Sequence, residues 1–222
     1  MKPKSLRIKI GAEQSVSALL DAPPGPSACL VLAHGAGAGM THAFMASAAA
    51  GLAARGIAVL RYQFAYMENG SKRPDRPPLA HAAVQAAVAR AAALLPGVPL
   101  LAGGKSFGAR MSSQAQAAGL LPGVRGLVFF GFPLHPAGKP DDARAAHLAD
   151  VTVPMLFLQG SRDKLADLAL LRPVVKKSQQ ATLQVVEEAD HSFHVPVRSG
   201  RTDAQVMEGL LEEAARWMGK VA

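Results

Sequence analysis

The chain has a single cysteine in 222 residues, Cys29. One thiol excludes an internal disulfide framework, and its place in the apolar run SACLVLAH makes it a small buried hydrophobe rather than a reactive group. Aromatic residues are scarce, 5% against 50% hydrophobic residues overall, so the core has to be assembled from Ala, Val and Leu. Long hydrophobic runs are missing as well. Charges or Pro/Gly clusters interrupt every apolar segment before it reaches the roughly 18 to 20 residues of a membrane span. The N-terminal MKPKSLRIKIGAEQS lacks the apolar stretch of a secretory signal. The expectation is a cytoplasmic protein without a membrane partner. Acidic residues are outnumbered, 16 against 24 Lys and Arg, for a net charge of +8. That excess is dispersed among short groups (Lys2, Lys4, Arg7, Lys9; Lys72, Arg73, Arg76; Lys176, Lys177) with no interleaved aromatics and no zinc-finger spacing. The pattern speaks for a solvated surface and against a nucleic-acid partner. There is no internal repeat, linker or low-complexity tract, and the length suits one domain spanning 1–222.

What is present is an alternation of strand-like and helix-like segments, which predicts a mostly parallel central sheet with helices on both faces. SLRIKI (5–10) and SVSALLDAP (15–23) read as an N-terminal hairpin. ACLVLAH (28–34) is apolar throughout, as a strand buried on both faces must be. Thr41 then precedes a helix with Phe44, Ala48 and Leu52 on one face, ended by Gly56. IAVLRYQ (57–63) is the next strand, and a loop rich in Pro, Lys and Arg runs from Phe64 to Pro78. A second helix carries Val84, Val88, Ala91 and Leu95 on one face. PLLAGG (99–104), GLVFFG (126–131), PMLFLQG (154–160) and TLQVVEE (182–188) are further short strands. A helix follows the first of them and ends at Gly119, and an irregular connection lies between the second and third, too short for more than a minimal lid. The last helix opens on a capping box, Thr202 to Gln205, and buries Val206, Leu210, Ala214 and Trp217.

Chemistry enters at Gly104-Lys105-Ser106-Phe107-Gly108, a G-x-S-x-G pentapeptide lodged between a predicted strand and a predicted helix. Such a turn is sharp enough that side chains two residues either side of the serine would strike neighbouring backbone, and the serine is pressed into a sparsely populated conformation. The bare pentapeptide arises by chance in about one chain of this composition in ten, so a small residue serving only a turn is the competing explanation. A serine is a poor nucleophile without a base and an orienting acid. His191, in the loop after the last strand, is the first candidate for the base, with His194 second. Asp163, in the GSRD loop after PMLFLQG, is preferred as the acid over Asp190, whose side chain would point away from its neighbour His191. The order Ser106, Asp163, His191 is that of an α/β-hydrolase. An oxyanion hole then needs two backbone N–H groups. Phe107 supplies one, and the glycine-rich HGAGAG loop the other, through Ala36 or, second, Gly37. That loop lacks the Lys-Ser/Thr ending of a phosphate loop and the spacing of a dinucleotide fingerprint. His34 has no H-x-x-x-H partner, which makes it an orienting residue rather than a metal ligand.

Taken together, LAHGAGAGMTHAFM, LRYQFAYME with KRPDRPP, GGKSFGARMSS, FFGFPLHPAGKPDDARAAHL, LFLQGSRD and ADHSFHVP resemble the small α/β-hydrolases of the dienelactone-hydrolase-like type. Within these the chain is most similar to a bacterial subgroup related to a testis-expressed protein and to the hydrolase-like domain of a chromatin acetyltransferase-complex subunit. The resemblance covers almost the whole chain and implies an α/β-hydrolase fold, a Ser106–Asp163–His191 triad, and neither cofactor nor metal. Phe64-Ala65-Tyr66 replaces the FPY of most relatives. His34, Arg61 and His135 stand as candidate pocket residues, with bracing of nearby loops as the alternative role. The expected activity is serine hydrolysis of a small ester, thioester or lactone through an acyl-enzyme. The competing expectation is a non-catalytic binding module on the same fold.

Overall fold

A computed structural model describes residues 2–11 and 14–222. The chain forms an eight-stranded sheet in the order β1-β2-β4-β3-β5-β6-β7-β8. Its strands are β1 (Lys4–Ile10), β2 (Gln14–Asp21), β3 (Ala28–Ala33), β4 (Ile57–Tyr62), β5 (Leu100–Lys105), β6 (Val124–Phe130), β7 (Met155–Gly160) and β8 (Ala181–Val186). The expected hairpin is present as the antiparallel β1–β2 pair, and β2 also runs antiparallel to β4. All other pairings are parallel.

Alternation along the central strands explains why they are apolar at every position. In β3, Cys29, Val31 and Ala33 face one layer of core, whereas Ala28, Leu30 and Leu32 face the other. β6 and β7 divide the same way, with Phe129 and Phe157 on one face and Val128, Phe130, Leu156 and Leu158 on the opposite one. The second layer is closed by α1 (Ala43–Ala53) and α6 (Asp203–Val221), and the first by α3 (Pro77–Leu94), α4 (Phe107–Ala117) and α5 (Leu168–Lys177). This is the α/β-hydrolase architecture, a mostly parallel sheet covered on both faces. Both bonds of the capping box form at the start of α6, Thr202 Oγ1 accepting from the Gln205 N–H and the Gln205 side chain accepting from the Thr202 N–H.

Three segments differ from the sequence expectation. A four-residue helix, α2 (Ala65–Glu68), interrupts the 64–78 loop, because Phe64, Ala65 and Tyr66 are buried. The 131–154 connection contains a 3-10 stretch, Ala143–Asp150, which sinks Ala145 and Leu148 into the core and packs on α4. In this way the segment expected to form no more than a minimal lid joins the body of the protein. Sequence patterning assigned no element to the stretch that forms α5, which contains Pro173; Leu171 and Val175 are buried there, and Asp167 caps the first turn by accepting from the Ala169 N–H at 2.8 Å. Buried apolar area offsets the backbone bond that proline cannot make. The N-cap of α1 is His42, whose Nδ1 accepts from the Phe44 N–H at 3.2 Å. Among the described residues, no helix is long and apolar enough to cross a membrane.

Candidate active site

The carboxyl ends of β3, β5, β7 and β8 lie at one rim of the sheet, and each delivers a loop there. β5 ends at Lys105 and α4 begins at Phe107, leaving Ser106 alone at the corner with φ 53° and ψ −113°. A non-glycine residue in that region stores strain of about 1–3 kcal/mol. Tertiary packing shows why both flanking glycines are needed. A Cβ on Gly104 would sit 2.5 Å from the Ala33 carbonyl oxygen, and one on Gly108 only 2.4 Å from the same atom. The elbow is wedged against the end of β3.

The rim brings together all three residues expected to act with one another. Ser106 Oγ lies 2.8 Å from His191 Nε2, and His191 Nδ1 lies 2.7 Å from Asp163 Oδ2. The Asp163 side chain is fully buried, while that of His191 retains 25% of its exposure. Asp163 Oδ1 accepts from the Leu165 N–H at 2.8 Å, and Oδ2 accepts a second bond from Gln159 Nε2 at 2.5 Å. Gln159 is itself oriented by the Phe132 N–H, which donates to its Oε1 at 2.9 Å. Three donors thus converge on one carboxylate and fix its orientation toward the imidazole. Sequence reasoning missed Gln159, whose signal was a lone polar residue inside an otherwise apolar strand, PMLFLQG.

The second candidates stand elsewhere. His194 is exposed and pairs with Asp203 at 2.8 Å, which raises the pKa of its imidazole above the ordinary value. The Asp190 carboxylate accepts from the Ser192 and His194 N–H groups and so shapes the His191 loop from within. A second serine–histidine contact, Ser113 Oγ to His147 Nε2 at 2.7 Å, is sealed between α4 and the 3-10 stretch, with Ser113 completely buried.

Beside Ser106 opens a cleft of about 370 Å³ lined by Ala36, His42, Phe44, Met45, Leu165 and His191, among others. Phe44, expected on the core face of α1, is only half-buried because its ring turns to the cleft, edge-on to Phe130 and stacked on Phe193. Ala36 lines the cleft, and among the described residues neither its N–H nor that of Phe107 has a protein acceptor. The N–H of Gly37 is already taken, donating to Tyr66 Oη at 2.9 Å.

His34, Arg61 and His135, the candidate pocket residues, are all buried and outside the lining of this cleft. Each braces a loop instead. The His34 Nδ1–H donates to the Gly35 carbonyl at 2.8 Å and Nε2 accepts from the Phe64 N–H at 3.1 Å. Both nitrogens are occupied in the neutral ring, and burial pushes its pKa down to about 4. Arg61 pairs through Nε with Asp21 at 3.1 Å and donates through Nη1 to the Met40 carbonyl at 3.0 Å, anchoring the far end of the HGAGAG loop. His135 Nε2 accepts from the Asp167 N–H at 2.9 Å while Nδ1–H donates to the Pro136 carbonyl, and the His135 backbone N–H donates to the Leu165 carbonyl, which steadies the loop carrying Asp163.

Fold and rim together define an α/β hydrolase with a serine–histidine–aspartate constellation at the carboxyl edge of its sheet. Residues 26–219 match the model of the alpha/beta hydrolase domain family, and the chain belongs to that family. Solved structures share its course over nearly their whole length. A lidless α/β serine hydrolase from Xanthomonas campestris is 24% identical with a TM-score of 0.74, covering 98% of this chain and 95% of its own. A dienelactone hydrolase from Anabaena variabilis is 19% identical with a TM-score of 0.76, covering 100% and 97%. An esterase domain from Rhodothermus marinus is 16% identical with a TM-score of 0.73, covering 99% of both. At these identities the likeness carries the fold.

Proposed function

We propose that this protein is a serine hydrolase that cleaves a small ester, thioester or lactone through an acyl-enzyme. The observation that carries the reading is the unbroken line of hydrogen bonds from Asp163 through His191 to Ser106, at 2.7 and 2.8 Å. With the Asp163 carboxylate holding Nδ1–H, the imidazole presents an unprotonated Nε2 to the hydroxyl, the tautomer that a general base requires. Ser106 Oγ adds to the substrate carbonyl carbon while its proton passes to Nε2. The resulting oxyanion is received by the N–H groups of Phe107 and Ala36, of which the first also lies at the positive end of α4. His191 then returns the proton to the departing oxygen or sulfur, leaving the acyl group on Ser106. Water repeats the sequence, giving its proton to His191 and releasing the acid as Oγ takes the proton back.

A cleft of about 370 Å³ walled by Phe44, Met45 and Leu165 suits a compact acyl group. Purified protein is expected to hydrolyse short p-nitrophenyl esters and to take one fluorophosphonate adduct on Ser106. Loss of both in Ser106→Ala supports the reading. Folded protein that neither turns over any ester nor accepts the probe refutes it in favour of a binding module.

A further inference from the structure

The reaction just described gives no task to Lys105, although its side chain lines the same cleft as Ser106 and His191. Among the described residues this ammonium has no carboxylate within salt-bridge distance. Its Nζ donates instead to the backbone carbonyl of His191. It also lies 4.9 Å from the centre of the Phe193 ring and 5.7 Å from that of Phe44, in reach of cation–π attraction from both. Gly131 packs against both groups, where a Cβ would stand 2.9 Å from Nζ and 3.5 Å from His191 Nδ1 and Cε1. Ammonium and imidazole therefore share one small space. The acidic residues whose charge acts on Nζ are Asp163, from the loop after β7, and Asp190, from the loop after β8.

The His191 loop needs such a tie. It leaves the edge strand β8 through a turn flanked by two non-glycine residues in the left-handed region, Glu188 at φ 61° and Phe193 at φ 65°. That shape persists only where tertiary contacts hold it. Lys105 is also the residue immediately before Ser106, so one side chain joins the corner that carries the nucleophile to the loop that carries its base.

We propose that Lys105 is a positioning residue: its charged ammonium clamps the His191 loop onto the serine elbow through the His191 carbonyl and the rings of Phe44 and Phe193. The proposal rests on the serine-hydrolase reading. Burial pushes the lysine pKa down to about 8, against the pull of Asp163 and Asp190. The clamp therefore loosens in mildly alkaline solution, since a neutral amine makes a weaker hydrogen bond and no cation–π contact.

The test is the pH dependence of kcat and KM on the best p-nitrophenyl ester for the parent, Lys105→Met and Lys105→Arg, with Ser106 labelling rates over the same range. The parent is expected to lose kcat, with little change in KM, as pH rises through about 8. Lys105→Met lowers kcat by about 10- to 100-fold at neutral pH, the worth of a charge-assisted hydrogen bond, and shows no alkaline fall. Lys105→Arg recovers part of the activity and also lacks the fall, because a guanidinium keeps its proton throughout. A lysine that merely filled space would leave the shape of the profile unchanged. An alkaline fall retained in Lys105→Met, or in Lys105→Arg should the methionine variant not fold, overturns the proposal while leaving the hydrolase reading intact. A parent that neither hydrolyses esters nor labels at Ser106 overturns both.

Discussion

Replacing Asp163 by asparagine is the most informative single change, because the structure shows what each orientation of the new amide would meet. The parent carboxylate accepts three bonds: from Leu165 N–H on Oδ1, and from Gln159 Nε2 and His191 Nδ1 on Oδ2. An amide offers one oxygen. If its NH₂ replaces Oδ1, it opposes the Leu165 N–H. If its NH₂ replaces Oδ2, it opposes the Gln159 amide and can be satisfied by His191 only when Nδ1 is unprotonated. The imidazole proton then moves to Nε2 and points at Ser106 Oγ, where a base is needed. Either way a buried donor is left facing a donor, a stability cost of about 1–3 kcal/mol that the fold should survive. The effect on kcat is far larger, on the order of 10³- to 10⁴-fold, by analogy with the wrong-tautomer variant of a serine protease. That loss corresponds to about 4–5.5 kcal/mol of barrier. Ester hydrolysis and the rate of fluorophosphonate labelling measure it, with thermal melting as the control for folding. A well-folded Asp163→Asn protein retaining kcat within about tenfold of the parent would refute the tautomer argument.

Gly108→Ala places a Cβ 2.4 Å from the Ala33 carbonyl oxygen, which is backbone and cannot swing aside. The expected cost is at least about 1–3 kcal/mol, with Ser106 displaced and labelling lost; an unchanged melting temperature and labelling rate would contradict the close fit of the elbow. Asp21→Leu strips Arg61 of its buried partner, whose Oδ2 lies 3.1 Å from Nε. It should destabilise by about 3–5 kcal/mol in urea unfolding, and a change under about 1 kcal/mol would mean that the pair is dispensable. His34 makes stability depend on acid. Its pKa in the folded protein is about 4, below the ordinary 6.5, so the unfolded chain takes the proton first and stability is lost as pH falls from 6.5 toward 4. Between pH 7 and pH 5 this amounts to about 2 kcal/mol, measurable by chemical denaturation, and a His34→Gln protein should be less sensitive over that interval. Equal acid sensitivity of parent and variant would rule out His34 as the cause.

Much of this protein was legible in its residues. Each predicted strand recurs in the sheet, since a run apolar at every position, such as ACLVLA, has no stable place other than a strand covered on both sides. That Ser106, Asp163 and His191 meet at one rim was expected because each follows a separate parallel strand, and the structure brings them together. What escaped notice obeys a different logic. The helix around Pro173 forms because Leu171 and Val175 find a core to enter, and a local breaker signal does not register that. The bracing roles of His34, Arg61 and His135, and those of Gln159 and Tyr66, are set by partners between 21 and 40 positions away, except for the immediate neighbours Gly35 and Pro136 and for Asp163, four residues from Gln159.

The sequence by itself determined the alternation of elements, the two-sided core and the residue types able to carry acyl transfer, because these follow from periodicity and local turn sterics. Only the tertiary structure decided which amide of the HGAGAG loop stays unclaimed, which polar side chains brace rather than face the cleft, and that Lys105 reaches across to the loop of His191. Those outcomes depend on distances between loops far apart in the chain, set by how the strands stack side by side and not by any residue's own preference.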